Sequence, residues 1–115
     1  MPKKYRLTGE EMRTLTGQAR PMGSKRMHGT FFSLLVAPMH SAHAKCAIVV
    51  SAKTASRAVD RNKIKRRARS VLAKRMPIVD RPLALVFYAK RGAQEAPFSA
   101  IERDIEVLFT NLQSR

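Results

Sequence analysis

The chain is built around Arg57-Ala-Val-Asp-Arg-Asn-Lys-Ile-Lys-Arg-Arg-Ala-Arg-Ser-Val-Leu-Ala-Lys-Arg75, its longest helix-compatible segment and its densest block of positive charge. Nine of these nineteen residues are Arg or Lys. The segment ends before Pro77, because the residue ahead of a proline is pushed out of the α region. Apolar residues recur on one side at the spacing of an amphipathic helix, and this side is predicted to dock on a core: Ile64, Ala68, Val71, Leu72 and Met76.

A ridge of polar side chains lies next to that apolar side. Arg61, Lys65 and Arg69 are spaced one turn apart, and Asn62 and Arg66 lie beside them. Like charges at this spacing repel each other, so a partner with dense negative charge would relieve the repulsion and release counterions on binding. Asn62 both donates and accepts hydrogen bonds, which suits a base edge or a ribose hydroxyl. The alternative is a solvated basic surface, which such one-sided charge disfavours.

Length and net charge limit the number of domains and the classes of partner. A chain of 115 residues is about one domain, so residues 1–115 are predicted to form a single domain. Twenty-three basic residues against eight acidic ones give a net charge of +15, which predicts a polyanionic partner. Nucleic acid is the first candidate. An anionic membrane is disfavoured, because no apolar run reaches transmembrane length and the basic helix has no bulky apolar face.

The N-terminal residues and the cysteine content suggest a compartment. Residues 1–6 carry three basic side chains without periodicity and are predicted to form a flexible basic arm. They lack the apolar region of a secretory signal, so a cytoplasmic protein is expected. Cys46 is the single cysteine, which excludes an internal disulfide, and its apolar surroundings predict a buried small hydrophobe.

The remaining segments predict two more helices and three strands. A capping box from Thr8 to Glu11 opens a short helix that ends at Gly17, and residues 17–29 read as a basic loop. Residues 30–36, 46–51 and 82–89 are apolar and strand-like. The first two strands, joined by a short connection, predict an antiparallel hairpin.

The terminal segment predicts another amphipathic helix. A second capping box runs from Ser99 to Glu102, and apolar residues follow at helical spacing: Ile101, Ile105, Leu108, Phe109 and Leu112. The long helix between the second and third strands predicts a βαβ crossover with parallel strands. The resulting order, α-β-β-α-β-α, predicts an α+β fold: an α-β sandwich with a small mixed β-sheet of about four strands or fewer.

Catalytic patterns are absent from the sequence. The three histidines do not stand at metal-ligand spacing from a carboxylate or the cysteine, and three acids of the terminal helix, Glu102, Asp104 and Glu106, alternate without converging. No glycine-rich phosphate loop or nucleophile elbow is present. The sequence therefore predicts no catalytic residue, no metal site and no cofactor bound by this chain.

Residues 61–69, Arg-Asn-Lys-Ile-Lys-Arg-Arg-Ala-Arg, closely resemble the signature helix of the bacterial ribonuclease P protein component family. The family pattern is Ala-Val-x-Arg-Asn-x-Ile-Lys-Arg-x-x-Arg, and every fixed position is present from Ala58-Val59 onwards. The likeness extends upstream to Val50-Ser51-x-Lys53 and downstream to Ala89-Lys90-Arg91-Gly92. It thus spans most of the chain.

The resemblance implies an accessory protein subunit of the endoribonuclease ribonuclease P. In that ribonucleoprotein a large RNA is the catalyst, which removes the 5′ leader of precursor tRNA with magnesium at the RNA active site. The implied partners are the catalytic RNA, with one protein per RNA, and precursor tRNA. The implied crossover is left-handed, although the general rule predicts a right-handed one. A ribosomal or general RNA- or DNA-binding protein without a role in cleavage is the alternative, and it would not explain the ordered signature helix.

The resemblance also implies which residues bind. Seven belong to the RNA-contacting helix: Arg57, Arg61, Asn62, Lys63, Lys65, Arg66 and Arg69. Basic residues near a cleft for the single-stranded leader are Lys53, Lys90 and Arg91. An aromatic of that cleft is either Phe31 or Phe32, which strand alternation places on opposite faces, and the sequence does not say which.

Three positions depart from the family pattern. Met12 stands where phenylalanine is usual, Ala52 replaces the first of two paired lysines, and Ser70 replaces a glutamate. These departures suggest a weaker hold on the leader.

Overall fold

A computed structural model describes residues 1–16 and 22–113, so Gly17, the predicted end of the first helix, lies outside the described part of the chain. Two short 3-10 turns, Lys3–Tyr5 and Met76–Ile78, accompany the main elements. In chain order these are α1 (Gly9–Thr16), β1 (Lys25–His28), β2 (Phe32–Pro38), β3 (Lys45–Val49), α2 (Ala58–Arg75), β4 (Leu83–Ala89) and α3 (Phe98–Gln113).

The strands form one mixed sheet in the order β1-β2-β4-β3. β1 with β2 and β2 with β4 are antiparallel, whereas β3 and β4 are parallel and joined through α2. This confirms the α+β class, the small mixed sheet and the parallel crossover. The left-handedness of that crossover stays a prediction.

Two expectations about the strands were wrong. β1 lies in a segment that was predicted to be a basic loop, because this edge strand is mostly exposed and has no apolar alternation to reveal it. The predicted hairpin of β2 and β3 does not form, since β4 lies between them and pairs with both. The two strands are neighbours in sequence but not in the sheet.

Two layers pack on the sheet to different extents. On one face, α2 and α3 bury Phe32, Leu34, Leu85 and Phe87. The four predicted apolar residues within α2 join this core, as does Met76 directly after the helix. On the other face a smaller cluster of β2 and β4 residues packs against Leu15 of α1. Since α1 is only eight residues long, part of this second face stays open.

Residues 3–6, which the sequence predicted to be part of a flexible arm, pack on the edge of β3. The ring of Tyr5 is buried and meets His43 edge to face, with 5.4 Å between centroids. Arg6 bridges to Cys46, whose carbonyl accepts a hydrogen bond from the N–H of Leu7 at 3.0 Å. A buried aromatic ring and backbone pairing hold the segment in place.

One of the two predicted capping boxes is present. The Thr8 N–H donates to Glu11 Oε1 at 2.8 Å and the Glu11 N–H donates to Thr8 Oγ1 at 3.1 Å, which is the reciprocal pattern. The box at Ser99 was wrong. α3 already begins at Phe98, and the carbonyl of Pro97 accepts the first N–H groups, so Ser99 lies inside the first turn.

Candidate nucleic-acid interface

One side of α2 carries a dense set of basic side chains. Its apolar side docks on the core, and this leaves Asn62 and Arg66 exposed. Lys63, Lys65 and Arg69 are half-buried on the flanks of the helix, and Arg57 is its exposed N-cap residue. The predicted ridge is therefore present on one helix, with its two freest side chains one turn apart.

Three arginines of α2 hold the fold together. Arg61 Nη1 donates to the carbonyls of Ala55 at 3.0 Å and Ser56 at 2.9 Å, which fixes the loop before the helix. Arg67 Nη1 donates to the carbonyl of Ala96 at 2.9 Å, just before α3. Arg75 joins α2 to α3 through an ion pair.

The Arg75 brace is an ion pair with Glu106 of α3, with 2.6 Å between Nη2 and Oε1. Arg67 and Arg75 thus join α2 to the segment that includes α3. Arg61, a predicted RNA-contacting residue, already uses its Nη1 group for hydrogen bonds within the protein. Within the described part of the chain, Arg66 and Asn62 have no such protein partner and remain available.

The predicted cleft cations gather at one edge of the sheet. β3 and β4 are parallel, so the loops after them, which carry Lys53 and Arg91, leave the sheet at the same edge. Thr54 Oγ1 donates to the carbonyl of Ala89 at 3.2 Å and joins these loops. Lys53 and Arg91 are exposed, whereas Lys90 Nζ donates to the carbonyl of Gly29 at 2.7 Å and braces the β1–β2 turn.

The two phenylalanines are not separated as strand alternation predicted. Phe32 is 0% exposed and meets Phe87 edge to face, 6.5 Å between centroids, so it belongs to the core. Phe31 is partly buried and packs against the same helix-side cluster, because the chain bends just before β2 begins. Only Phe31 presents ring surface for a ligand, and its contact with the leader stays a prediction.

The open face of the sheet carries an aromatic that sequence reasoning missed. Tyr88 of β4 pairs in register with Ser33 and Val49, on the face that α1 covers only in part. The guanidinium of Arg26 lies 5.1 Å from the centroid of its ring, and Arg26 Nη1 donates to Ser33 Oγ at 3.5 Å. Alternation could have found Tyr88, since it follows the buried Phe87 and must face the other way.

Of the three residues that differ from the family pattern, two are exposed and one is partly buried. Ala52 and Ser70 are exposed, whereas Met12 is partly buried in the cluster beneath α1, at the border of the open face.

The surface as a whole suits phosphates and unpaired bases. It combines an aromatic ring with a cation above it, an exposed basic edge and a basic helix.

Residues 1–16 and 22–113 contain no group of three or more His, Cys, Asp or Glu side chains that could hold a metal ion. His43 Nε2 lies 2.6 Å from the carbonyl oxygen of Lys4, and Asp104 is buried among backbone N–H groups. None of the helices in this part of the chain is long and apolar enough to cross a membrane.

Comparison with known proteins gives a consistent result. The sequence model of the family described as Ribonuclease P matches residues 1–113. A ribonuclease P protein component of Idiomarina loihiensis is 34% identical over 86 residues, which cover 72% of this chain and 66% of that protein.

Solved structures share the fold. The RNase P protein of Staphylococcus aureus superimposes with a TM-score of 0.76 at 20% identity, and 94% of each chain is covered. The RNase P protein of Thermotoga maritima superimposes with a TM-score of 0.71 at 18% identity, covering 90% of this chain and 93% of that one. At these identities the likeness establishes a common architecture.

Proposed function

The chain belongs to the ribonuclease P protein family, and we propose that it is the protein subunit of ribonuclease P, binding the catalytic RNA and the 5′ leader of precursor tRNA. The observation that carries this proposal is the form of the signature segment. Its apolar positions are buried and its Asn62 and Arg66 are exposed on one side of α2. A general basic RNA-binding surface does not require that arrangement.

The basic side of α2 is proposed to bind the catalytic RNA. Lys65, Arg66 and Arg69 neutralise backbone phosphates, and Asn62 supplies neutral hydrogen bonds to a base edge or a ribose hydroxyl. Arg57 and Lys63 add charge at the ends and flanks of the contact. Arg61 also fixes the loop that carries Lys53, because it donates to two carbonyls of that loop. The RNA-binding side of α2 and the basic edge of the sheet are therefore held in a fixed relative position.

The single-stranded leader is proposed to cross the open face of the sheet. Tyr88 gives a base a stacking surface, and Arg26 stands over that ring with a charge for the adjoining phosphate. Lys53 and Arg91 attract the strand at the sheet edge, and Phe31 lies where this edge meets β2. Lys90 contributes by fixing the β1–β2 turn.

Bond cleavage is assigned to the RNA subunit. The holoenzyme hydrolyses one phosphodiester bond, with magnesium held at the RNA active site. The protein supplies positive charge between two polyanions, which lowers their mutual repulsion and favours the bound substrate. We further propose one protein per RNA and a cytoplasmic complex.

Reconstitution tests the proposal. The protein is mixed with the ribonuclease P RNA of its own organism, and cleavage of precursor tRNA is followed at a magnesium concentration too low for the RNA alone. We expect the wild-type protein to restore cleavage at the mature 5′ end. Asn62→Ala/Arg66→Ala should fail to assemble, whereas Arg81→Ala, which removes an exposed cation at the far end of β4, should behave as wild type.

The result also separates the alternative function. If the protein binds ribosomal RNA fragments as tightly as the ribonuclease P RNA, and does not stimulate cleavage, then it is a general RNA-binding protein. In that case the double variant would lose affinity equally for every RNA.

A further inference from the structure

A cleft beside α3 shares only Phe31 with the surfaces assigned so far. It has a volume of about 740 Å³ and is bordered by residues 28–31 at the β1–β2 turn and by residues of α3 between positions 99 and 107. Its apolar wall consists of Phe31, Ala100 and Val107, of which Val107 is 49% exposed. Volumes of this order are typical of clefts that hold small organic groups.

The lining of this cleft contains one exposed cation and one buried carboxylate. Arg103 is exposed at the rim, and no described residue forms an ion pair with it. Asp104 also borders the cleft, but its carboxylate is already engaged: Oδ1 accepts the N–H of Thr30 at 2.7 Å, and Oδ2 accepts the N–H groups of the next two residues. His28 adds a ring nitrogen that can donate or accept a hydrogen bond.

The cleft is continuous with the basic edge of the sheet. The carbonyl of Phe31 accepts the N–H of Lys90 at 2.8 Å, in the turn that also carries Arg91. A Cβ at Gly92 would lie 3.9 Å from Cε1 of the Phe31 ring, so the ring packs directly against this turn. A strand that passes Arg91 therefore meets Phe31 next, with the cleft behind it.

We propose that this cleft binds an additional unpaired nucleotide of the RNA strand that crosses the open face. The base stacks on the Phe31 ring and contacts Val107, and the phosphate is neutralised by Arg103. This inference rests on the proposed function, and adds a subsite to it. It also explains why Phe31, unlike Phe32, keeps part of its ring exposed at the end of a basic surface.

An RNA strand fits better than a peptide or a metal ion. The rim carries one free cation and no free carboxylate among its described side chains, which favours an anionic ligand. The aromatic wall stacks on any base, since every base has a π face, and such a contact needs no particular sequence. A subsite of this kind would therefore respond to the length of the strand more than to its sequence.

Leader length gives the test. Affinity of the reconstituted holoenzyme is measured for precursor tRNAs whose leaders are lengthened one nucleotide at a time. The variants are Phe31→Leu, which keeps apolar bulk without the π face, and Arg103→Gln, which removes the charge from an exposed position. Arg81→Gln is the matched control for the loss of one exposed arginine charge.

For the wild type we expect a late step in affinity, when the leader becomes long enough to reach the cleft. Each variant should lose that step, by roughly fivefold or more. Arg103→Gln, at a residue outside the proposed leader path, should leave affinity for short leaders unchanged. A photoreactive uridine placed at the nucleotide that produces the step should crosslink to residues 28–31 or 99–107. The control should keep the step and the crosslink.

Two outcomes would overturn the subsite. If Phe31→Leu and Arg103→Gln weaken leaders of every length equally, the residues act on the fold or on overall charge. If wild-type affinity shows no late step, the cleft does not hold leader nucleotides. Both results leave the proposed function standing, because that function is tested by whether the wild-type protein assembles with the ribonuclease P RNA and stimulates cleavage of precursor tRNA.

Discussion

The carboxylate of Asp104 accepts a hydrogen bond from the backbone N–H of Phe32 at 3.0 Å, across a sequence separation of 72 residues. The same carboxylate accepts the N–H groups of Thr30 at 2.7 Å and Phe31 at 2.9 Å. One buried side chain of α3 thus satisfies three consecutive donors where the chain enters β2. This contact fixes α3 against the sheet and holds Phe31 beside the basic edge.

We expect Asp104→Asn to destabilise the protein by about 2–3 kcal/mol, because an amide has one acceptor oxygen and places a donor against backbone N–H groups. Urea unfolding followed by circular dichroism would measure this loss. Asp80→Asn is the control, since Asp80 is exposed and should change the free energy of unfolding little. Equal stability of the two variants would contradict the assigned role of Asp104.

Gly29 leaves room for the same contact. A Cβ at Gly29 would lie 2.7 Å from both carboxylate oxygens of Asp104, closer than side chains tolerate. Gly29→Ala should therefore cost about 1–3 kcal/mol, as for other overpacked sites. Gly9→Ala is the control, because its nearest neighbour is the flexible end of Arg13 at 3.8 Å.

The two changes should not be additive. Once Asp104→Asn has weakened the carboxylate contact, Gly29→Ala has less to displace, so the double variant should lose less stability than the sum of the single variants. A strictly additive double variant would mean that Gly29→Ala acts through the turn alone and not through Asp104.

The helices were the elements that sequence predicted best. The four apolar residues within α2 and Met76 directly after it recur at helical spacing, and all five are buried. This pattern is local and does not depend on what the helix packs against. β1 was missed for the opposite reason. Its exposed residues Lys25 and Arg26 gain their strand conformation from pairing with β2, a partner that no local pattern reveals.

The candidate site was predictable in its charges and less so in its geometry. The signature pattern located Asn62 and Arg66 on the exposed side of α2. It could not show that Arg61 and Lys90 form hydrogen bonds with backbone carbonyls, because those carbonyls belong to loops whose paths depend on the whole fold. The pairing of Arg26 with Tyr88 depends in the same way on sheet order.

Arg66 and Arg67 are adjacent on α2 and should respond differently to removal. Arg66→Ala should lower the slope of log affinity against log salt by about 0.7–0.9 for the ribonuclease P RNA, with stability unchanged, because one phosphate contact is lost. Arg67→Ala breaks the bond to the Ala96 carbonyl and should mainly reduce stability. Filter binding over a salt series and thermal unfolding measure the two effects, and an unchanged slope for Arg66→Ala would exclude a phosphate contact.

Arg61→Ala should show both effects at once. It removes a predicted phosphate contact and also the bonds to the Ala55 and Ser56 carbonyls, so we expect a smaller salt slope together with a lower unfolding temperature. Asn62→Ala should weaken assembly without changing the slope, since no charge is removed. A stable Arg61→Ala protein would mean that the loop before α2 does not depend on this side chain.

Glu11 should make the packing of α1 sensitive to acid. The backbone N–H of Thr8, with a further contribution from the Lys45 ammonium at 3.1 Å, lowers the pKa of the Glu11 carboxyl below its ordinary value of 4.5. A lowered pKa in the folded state means that the stabilisation is fully present above the unfolded pKa and is lost as pH falls through the folded one.

Glu11→Gln should therefore reduce stability near neutral pH and make little difference in strong acid, where the wild-type carboxyl is protonated as well. Thermal unfolding of both proteins at about pH 6 and about pH 3 would show the difference closing. Glu10→Gln is the matched control on the exposed side of α1. A gap that stays the same at both pH values would show that the charge of Glu11 is not what stabilises the helix.

Cys46 should report on opening of the edge where the N-terminal segment meets β3. Burial raises the pKa of its thiol to about 12, and the side chain is 1% exposed beneath Arg6 and Met1. The thiolate is the reactive form, so the folded protein should react with a disulfide reagent only when this edge opens.

Tyr5→Ala removes the buried ring that holds the N-terminal segment, and it should accelerate the reaction well below the concentration of urea that unfolds the protein. Leu112→Ala, a core truncation at the far end of α3, should accelerate it only as global stability falls. Equal acceleration by both variants at matched stability would mean that the thiol is exposed only by global unfolding.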